Sequence, residues 1–175
     1  MIIRKCLESE IAETGKFYDR VVQWLDDHVN YPRWVYKVYP SEPAVRKMTA
    51  DDSLYLCLED DRIAGAFALN AKPEGNYQKG RWSRDLAYGE FMTIHMLAVD
   101  PEQMGKGIGS EILRFCIDRA KADGYKAIRV DIVPDNDPSI RLFEKHGFTY
   151  AGDADLELGK AHIPEFSLFE LNLEQ

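Results

Sequence analysis

The stretch that most restricts this fold is residues 91–109. A nearly continuous apolar run from Phe91 to Val99 passes through Asp100-Pro101 into Gly105-Lys106-Gly107-Ile108-Gly109. So apolar a run is expected of a strand covered on both faces, the central strand of a sheet. Glycines at alternate positions let the backbone pass close to a ligand. The stripe Ile108, Ile112, Phe115, Cys116, Ala120 predicts a helix beginning at the same place. A helix start presents amides without internal partners and the positive end of the helix dipole, so strand, turn and helix together make a cradle for a diphosphate. A Rossmann nucleotide fold also sets glycines between strand and helix. It requires an early βαβ start and a third glycine three residues after the second, which Gly-x-Gly-x-Gly late in the chain fits poorly.

The remaining patterns supply the frame. A short strand over 2–6 precedes an amphipathic helix with Ile11, Tyr18, Val21, Val22 and Leu25 on one face. After turns at Tyr31-Pro32 and Tyr39-Pro40, Ser41 is a candidate cap for a short helix toward Ala50, with Pro43 in its first turn. Strands over 54–58 and 63–69 form a hairpin across an acidic turn. Residues 71–88, which include Tyr77 and Trp82, read as a long loop, and loops of that length in compact domains are often functional. Gly124 ends the helix begun at Ile108 and a strand follows over 127–133. Asp137 is a candidate cap for a helix that Gly147 closes, before strands over 148–151 and 166–173. The order predicts an α/β fold (α+β by some schemes), with a mixed, twisted sheet of about seven strands flanked by about four helices, in a single domain over 1–175.

Charge narrows the partners. With 22 basic and 30 acidic residues the formal net charge is −8, which argues against nucleic acid, whose binding needs a basic face. No apolar run reaches the roughly 18 residues that cross a bilayer, and the first residues lack a signal segment, so the expectation is a cytoplasmic protein with no membrane partner. Cys6, Cys57 and Cys116 form no CxxC pair or metal spacing and read as reduced, buried thiols; no metal is expected.

Two motifs in register make the pattern specific. Ile94-His95-Met96-Leu97-Ala98-Val99 with Pro101 and the glycine loop resembles the central strand and acyl-CoA pyrophosphate loop of the GNAT acetyltransferase superfamily. Downstream, Asn136-Asp137-Pro138-Ser139-Ile140-Arg141-Leu142-Phe143-Glu144-Lys145-His146-Gly147-Phe148 is similar to that family's second motif. The resemblance covers roughly residues 91–151 closely and the remainder in element order. It implies a GNAT fold, acetyl-CoA as cosubstrate, an amine as acyl acceptor and, by family habit, a possible homodimer. It further implies that Met104, Gly105, Lys106, Gly107, Ile108, Gly109 and Ser110 offer backbone amides to the pyrophosphate. The backbone of Leu97, Ala98 and Val99 would run beside the pantetheine arm, Asn136 and Ser139 near the arm or its phosphates, and Phe143 beside the thioester sulfur. Lys106, Arg141 and Lys145 would offset the repulsion between a polyanionic ligand and an acidic protein. Met104 stands where the family usually has Arg or Gln, and Phe143 where it usually has a tyrosine that protonates the departing thiolate.

At pH 7 freeing the lone pair of a lysine-type amine costs about 4 to 5 kcal/mol, so a base is useful. His95 is a candidate, since imidazole ordinarily titrates at about 6.5 and the serotonin-type N-acetyltransferases, which this strand resembles, carry a histidine at that place. The alternative is a core histidine satisfied by a hydrogen bond. Glu90 at the mouth of the strand is a second candidate base, or a solvated carboxylate. Thr93, two residues before His95 on the same strand face, could orient water. His28, His146 and His162 read as surface residues. The expected activity is direct transfer of acetyl from acetyl-CoA to a primary amine, with an amide near Leu97 stabilising the developing oxyanion. A non-catalytic acyl-CoA-binding or sensing domain is the alternative, motivated by Phe143 and Met104.

Overall fold

The computed structural model describes residues 1–173. Its elements run β1 (Ile2–Lys5), α1 (Ile11–Asp27), α2 (Glu42–Ala50), β2 (Leu54–Glu59), β3 (Arg62–Asn70), β4 (Phe91–Val99), α3 (Ile108–Ala122), β5 (Ala127–Ile132), α4 (Asp137–Lys145), β6 (Thr149–Ala154) and β7 (Phe166–Asn172). The strands form a seven-stranded mixed sheet in the order β1-β2-β3-β4-β5-β7-β6, the architecture expected from the sequence. Among the described residues no helix is long and apolar enough to cross a membrane.

The chain folds into two compact units that interleave along the sequence. The first comprises Met1–Asn30, Trp34–Leu69 and His95–Ile112; the second comprises Tyr31–Arg33, Asn70–Ile94 and the described residues from Leu113.

In the first unit α1 places Ile11, Phe17, Tyr18, Val21 and Leu25 against Leu54, Leu56, Ala66 and Ala68 of the β2–β3 hairpin, with Met96 and Ala98 of β4 in the same core. Side chains recurring every three to four residues meet alternating strand positions, which is why both periodicities were visible in the sequence. Tyr18 does more than fill that core. Its hydroxyl, fully buried, donates to the Met96 carbonyl at 2.7 Å, and burial pushes the phenol's pKa well above its ordinary range. Met96 has φ of 55°, a left-handed conformation that costs a non-glycine residue about 1–2 kcal/mol. The Tyr18 bond holds this kink in the middle of β4. Gly65 on β3 lets α3 come close: a Cβ there would stand 2.9 Å from Ile112 Cδ1 and 3.0 Å from the Ala98 carbonyl.

The second unit is built on β5, β7 and β6, with Ala127, Val133, Ala151, Leu156, Phe166 and Leu168 in its core. β5 runs parallel to β4 from Phe91↔Ala127 to Thr93↔Arg129 and antiparallel to β7 from Ala127↔Asn172 to Ile132↔Ser167. Inside this apolar layer lies an ion pair. Arg129 and its register partner Glu170, both 2% exposed, meet at 3.3 Å. The guanidinium lies 4.4 Å from the Trp82 ring centroid and 4.5 Å from that of Phe91, a cation held between two aromatic faces. It also donates to the Arg84 carbonyl at 2.7 Å, while Glu170 accepts from the Ser83 amide at 2.5 Å. The pair therefore pins the 71–90 segment, which the sequence showed only as a long loop. Tyr77 in that segment is fully buried, bonded to the Asp131 carboxylate and stacked on Phe91.

Three expectations are corrected. Ser41 occupies the cap position of α2, but its hydroxyl donates to the Val38 carbonyl and makes no side-chain cap. The α4 cap is Asn136, not Asp137: Asn136 Oδ1 accepts from the Ser139 amide at 3.3 Å, and Asp137 is the first residue of the helix. His146 is not a plain surface residue. It is half-buried, its Nε2 is buried with no partner among the described residues, and desolvation, aided by the charges of Arg114 and Lys145, lowers its pKa. A group that the fold keeps neutral binds fewer protons folded than unfolded. Stability is therefore full above the unfolded imidazole value of about 6.5 and declines as pH falls below it. Replacing His146 with Leu should shrink the loss of urea-unfolding free energy between pH 7.5 and 5.5; an unchanged loss would place the acid sensitivity elsewhere.

Candidate active site

The glycine loop belongs to the first unit. β4 ends at Val99, the Asp100 amide donates to the Ala64 carbonyl at 2.9 Å, and Asp100 Oδ1 caps a single 3-10 turn, Pro101–Gln103, by accepting from the Glu102 amide. The chain then opens into solvent through 104–107 before Ile108 buries itself as the first residue of α3. Gly105 and Gly107 have φ of 78° and 85°, and a Cβ built on either meets nothing within 4 Å. The glycines here answer to conformation, not crowding inside the protein, and the space in front of them is open. Among the described residues no backbone carbonyl accepts from the amides of Gly105, Gly107, Ile108, Gly109 or Ser110; the first helical bond of α3 is Glu111 to Gly107, at 3.1 Å. Five donors at the positive end of a fifteen-residue helix suit an anion with several oxygens. The exposed Met104 side chain supplies no charge, and Lys106 donates to Gln103 Oε1 at 2.9 Å.

The same unit carries His95 and the strand edge Leu97, Ala98 and Val99. His95 is 8% exposed; Leu97 and Val99 are half-buried on either side of buried Ala98. The left-handed Met96 lies between His95 and Leu97, so the backbone changes course where the sequence placed its candidate base and its candidate oxyanion amide. The β5 ladder covers Phe91 to Thr93, and the rest of β4 lies beyond it.

The second unit carries the other expected residues. Thr93 is buried and its hydroxyl donates toward the Asn70 carbonyl oxygens at 3.2 and 3.3 Å. Glu90 is tied down: it pairs with Lys126, accepts from the Ala87 amide at 2.8 Å, and the Lys126 bond holds its carboxyl below the usual range. Asn136 is buried and spends Oδ1 on the α4 cap; Ser139 contributes the amide it caps. Phe143 is buried, edge-on to Phe148 at 5.0 Å between centroids. Arg141 and Lys145 are exposed on α4, Arg141 at the outer limit of an ion pair with Asp137. Among the described residues no group of three or more His, Cys, Asp or Glu side chains is placed to hold a metal ion. Sequence reasoning missed Tyr18, read as helix packing, and Arg129 with Glu170; a basic residue in one mostly apolar strand and an acidic one in another was the available signal.

Known proteins resemble this chain in sequence and in fold. Streptothricin acetyltransferase of Streptomyces lavendulae is 31% identical over 84 residues, 47% of this chain and 44% of the relative. Mycothiol acetyltransferase of Actinosynnema mirum is 25% identical over 115 residues, 65% of this chain and 38% of the relative. The chain thus spans less than half the length of these two. Spermine/spermidine N(1)-acetyltransferase of Bacillus subtilis is 28% identical over 127 residues, 65% of this chain and 80% of the relative. Among solved structures, a GNAT-family acetyltransferase from Streptococcus agalactiae superposes with a TM-score of 0.79 at 16% identity, covering 99% of this chain and 96% of the other. The yncA protein of Salmonella typhimurium, solved with its cofactor acetyl-CoA, gives 0.70 at 18% identity over 99% and 94%. The Acetyltransferase (GNAT) family itself matches residues 19–148, so the glycine loop, the kinked β4 and the Asn136-capped helix belong to a member of that family.

Proposed function

We propose that the chain is a single N-acetyltransferase domain that moves an acetyl group from acetyl-CoA to a primary amine by direct attack. Each compact unit is assembled from three separate stretches of sequence, so neither could be cut out as a continuous domain. The last two residues of the proposed 1–175 range lie outside the described residues. The observation that carries the reading is the 104–110 loop, with five amides that no backbone carbonyl uses and two left-handed glycines facing open space. The spermine/spermidine relative supports an amine acceptor.

When bound, acetyl-CoA supplies a thioester-activated acetyl group. The loop amides hold its pyrophosphate, and the backbone of Leu97, Ala98 and Val99 aligns its arm. Asn136 donates through Nδ2, the atom its cap leaves over, and Ser139 stands beside it. Lys106, Arg141 and Lys145 add local positive potential within a protein of net charge −8. His95 accepts the proton of the amine; Thr93, buried with its hydroxyl bonded to Asn70, is not placed to hold a relay water. Glu90 is the weaker base because its carboxylate is stabilised in its ion pair with Lys126.

Gly107→Val tests the cradle. A β-branched residue at a φ of 85° is strained by about 1–2 kcal/mol and blocks backbone approach. The variant should lose the rise in melting temperature that CoA gives the parent, with affinity lowered about tenfold or more. Normal CoA binding by the variant would place the cradle elsewhere. The non-catalytic reading draws on Phe143, which has no proton to give a thiolate, and thiol release on mixing acetyl-CoA with an amine separates the two. Phe143→Tyr should keep CoA affinity and raise turnover wherever protonation of sulfur limits the rate; slower turnover at equal affinity would count against a vacant acid position.

A further inference from the structure

The second unit contains a half-open cavity of about 480 Å³, within the range of small-molecule sites, lined by the pinned loop and Arg129. Its aromatic lining is Tyr77, Trp82 and Tyr88; Arg84 and Asp85 lie at its edge. The rings of Tyr77 and Trp82 are held in place. Trp82 lies against Gly80 so closely that a Cβ there would overlap its ring at 2.3 Å, and its Nε1 donates to the Tyr77 carbonyl at 2.6 Å.

Arg129 gives the cavity its chemistry. A guanidinium has five N–H groups. Nε of Arg129 goes to Glu170 and Nη2 to the Arg84 carbonyl, while Nη1 has no hydrogen-bond partner among the described residues, yet is not among their buried unpartnered atoms. In a side chain 2% exposed, the surface Nη1 retains is that of the cavity it lines. Trp82 and Phe91 already sandwich a cation, which disfavours a cationic guest. Glu170 balances the charge of Arg129, and the exposed Arg84 offsets Asp85 at the edge, so an anion is favoured here by the donors Arg129 Nη1 and Arg84 offer, not by an excess of positive charge.

We propose that this cavity is a binding site for a small carboxylate with a flat apolar body: the carboxylate accepts from Arg129 Nη1 and pairs with Arg84, and the body lies against Trp82 and Tyr88. The site does not depend on acetyl transfer, so it stands or falls apart from the function proposed above. Benzoate, with neutral benzamide as its isostere, is the probe, and the readout is the backbone amide NMR shifts of the whole protein. Benzoate should shift the amides of residues 78–88 saturably. Benzamide should bind those residues about tenfold or more weakly, because it forfeits charge-assisted hydrogen bonds. Arg84→Gln, an exposed change that also gives up the 3.3 Å bond from Arg84 to the Lys126 carbonyl, should weaken benzoate severalfold while leaving amides away from the cavity and from Lys126 unshifted. Arg129→Lys should weaken it further if it folds. Equal binding of benzoate and benzamide, shifts centred outside residues 78–88, or absence of saturable binding by the unaltered protein would each overturn the assignment, whatever the variants do.

Discussion

Replacing Arg129 with Met should lower the free energy of unfolding by about 3–5 kcal/mol, a large share of the 5–15 kcal/mol that holds a typical domain together. The cause is not the attraction lost. Glu170 is 2% exposed on β7, and without the guanidinium it stays as a buried charge whose remaining donor is the Ser83 amide. The Arg84 carbonyl loses its donor, and Trp82 and Phe91 lose the cation between their rings. Removing both charges should cost much less. Arg129→Met with Glu170→Leu fills similar volume with apolar atoms, and exchanges of that kind in buried ion pairs are often neutral or stabilising. Urea unfolding of the parent, both single variants and the double variant gives the coupling. A single variant losing under about 1 kcal/mol, or a double variant as unstable as the worse single one, would show that the pair is not what pins the 71–90 loop.

His95→Gln should lower turnover at neutral pH by about a hundredfold or more, the usual contribution of a positioned base, while leaving acetyl-CoA affinity nearly unchanged. Gln keeps the length and one donor and acceptor but has no basic nitrogen. The deficit should shrink as pH approaches the amine's own pKa, because free amine then forms without help. A rate–pH profile parallel to the parent's would remove His95 from the reaction. Glu90 would then be the carboxylate to test, despite its ion pair with Lys126.

The motifs, the central strand and the glycine loop were legible in the sequence because each depends on residues adjacent along the chain. Seven apolar residues in a run of nine make a buried strand wherever it is placed, and Gly105 and Gly107 adopt left-handed angles that other residues resist. The cap of α4 was misread by one residue because Asn and Asp are equally good caps and the two stand side by side in the sequence. The tertiary structure decided the rest. Methionine has no preference for a positive φ, so nothing local marks Met96; the kink exists beside a hydroxyl from Tyr18, 78 residues earlier in the chain. Arg129 and Glu170 are 41 residues apart, and each alone in an apolar strand reads as a liability. They become a clamp only when the β5–β7 register sets them opposite each other, because the cost of burying a charge is met by a partner that sequence order does not reveal.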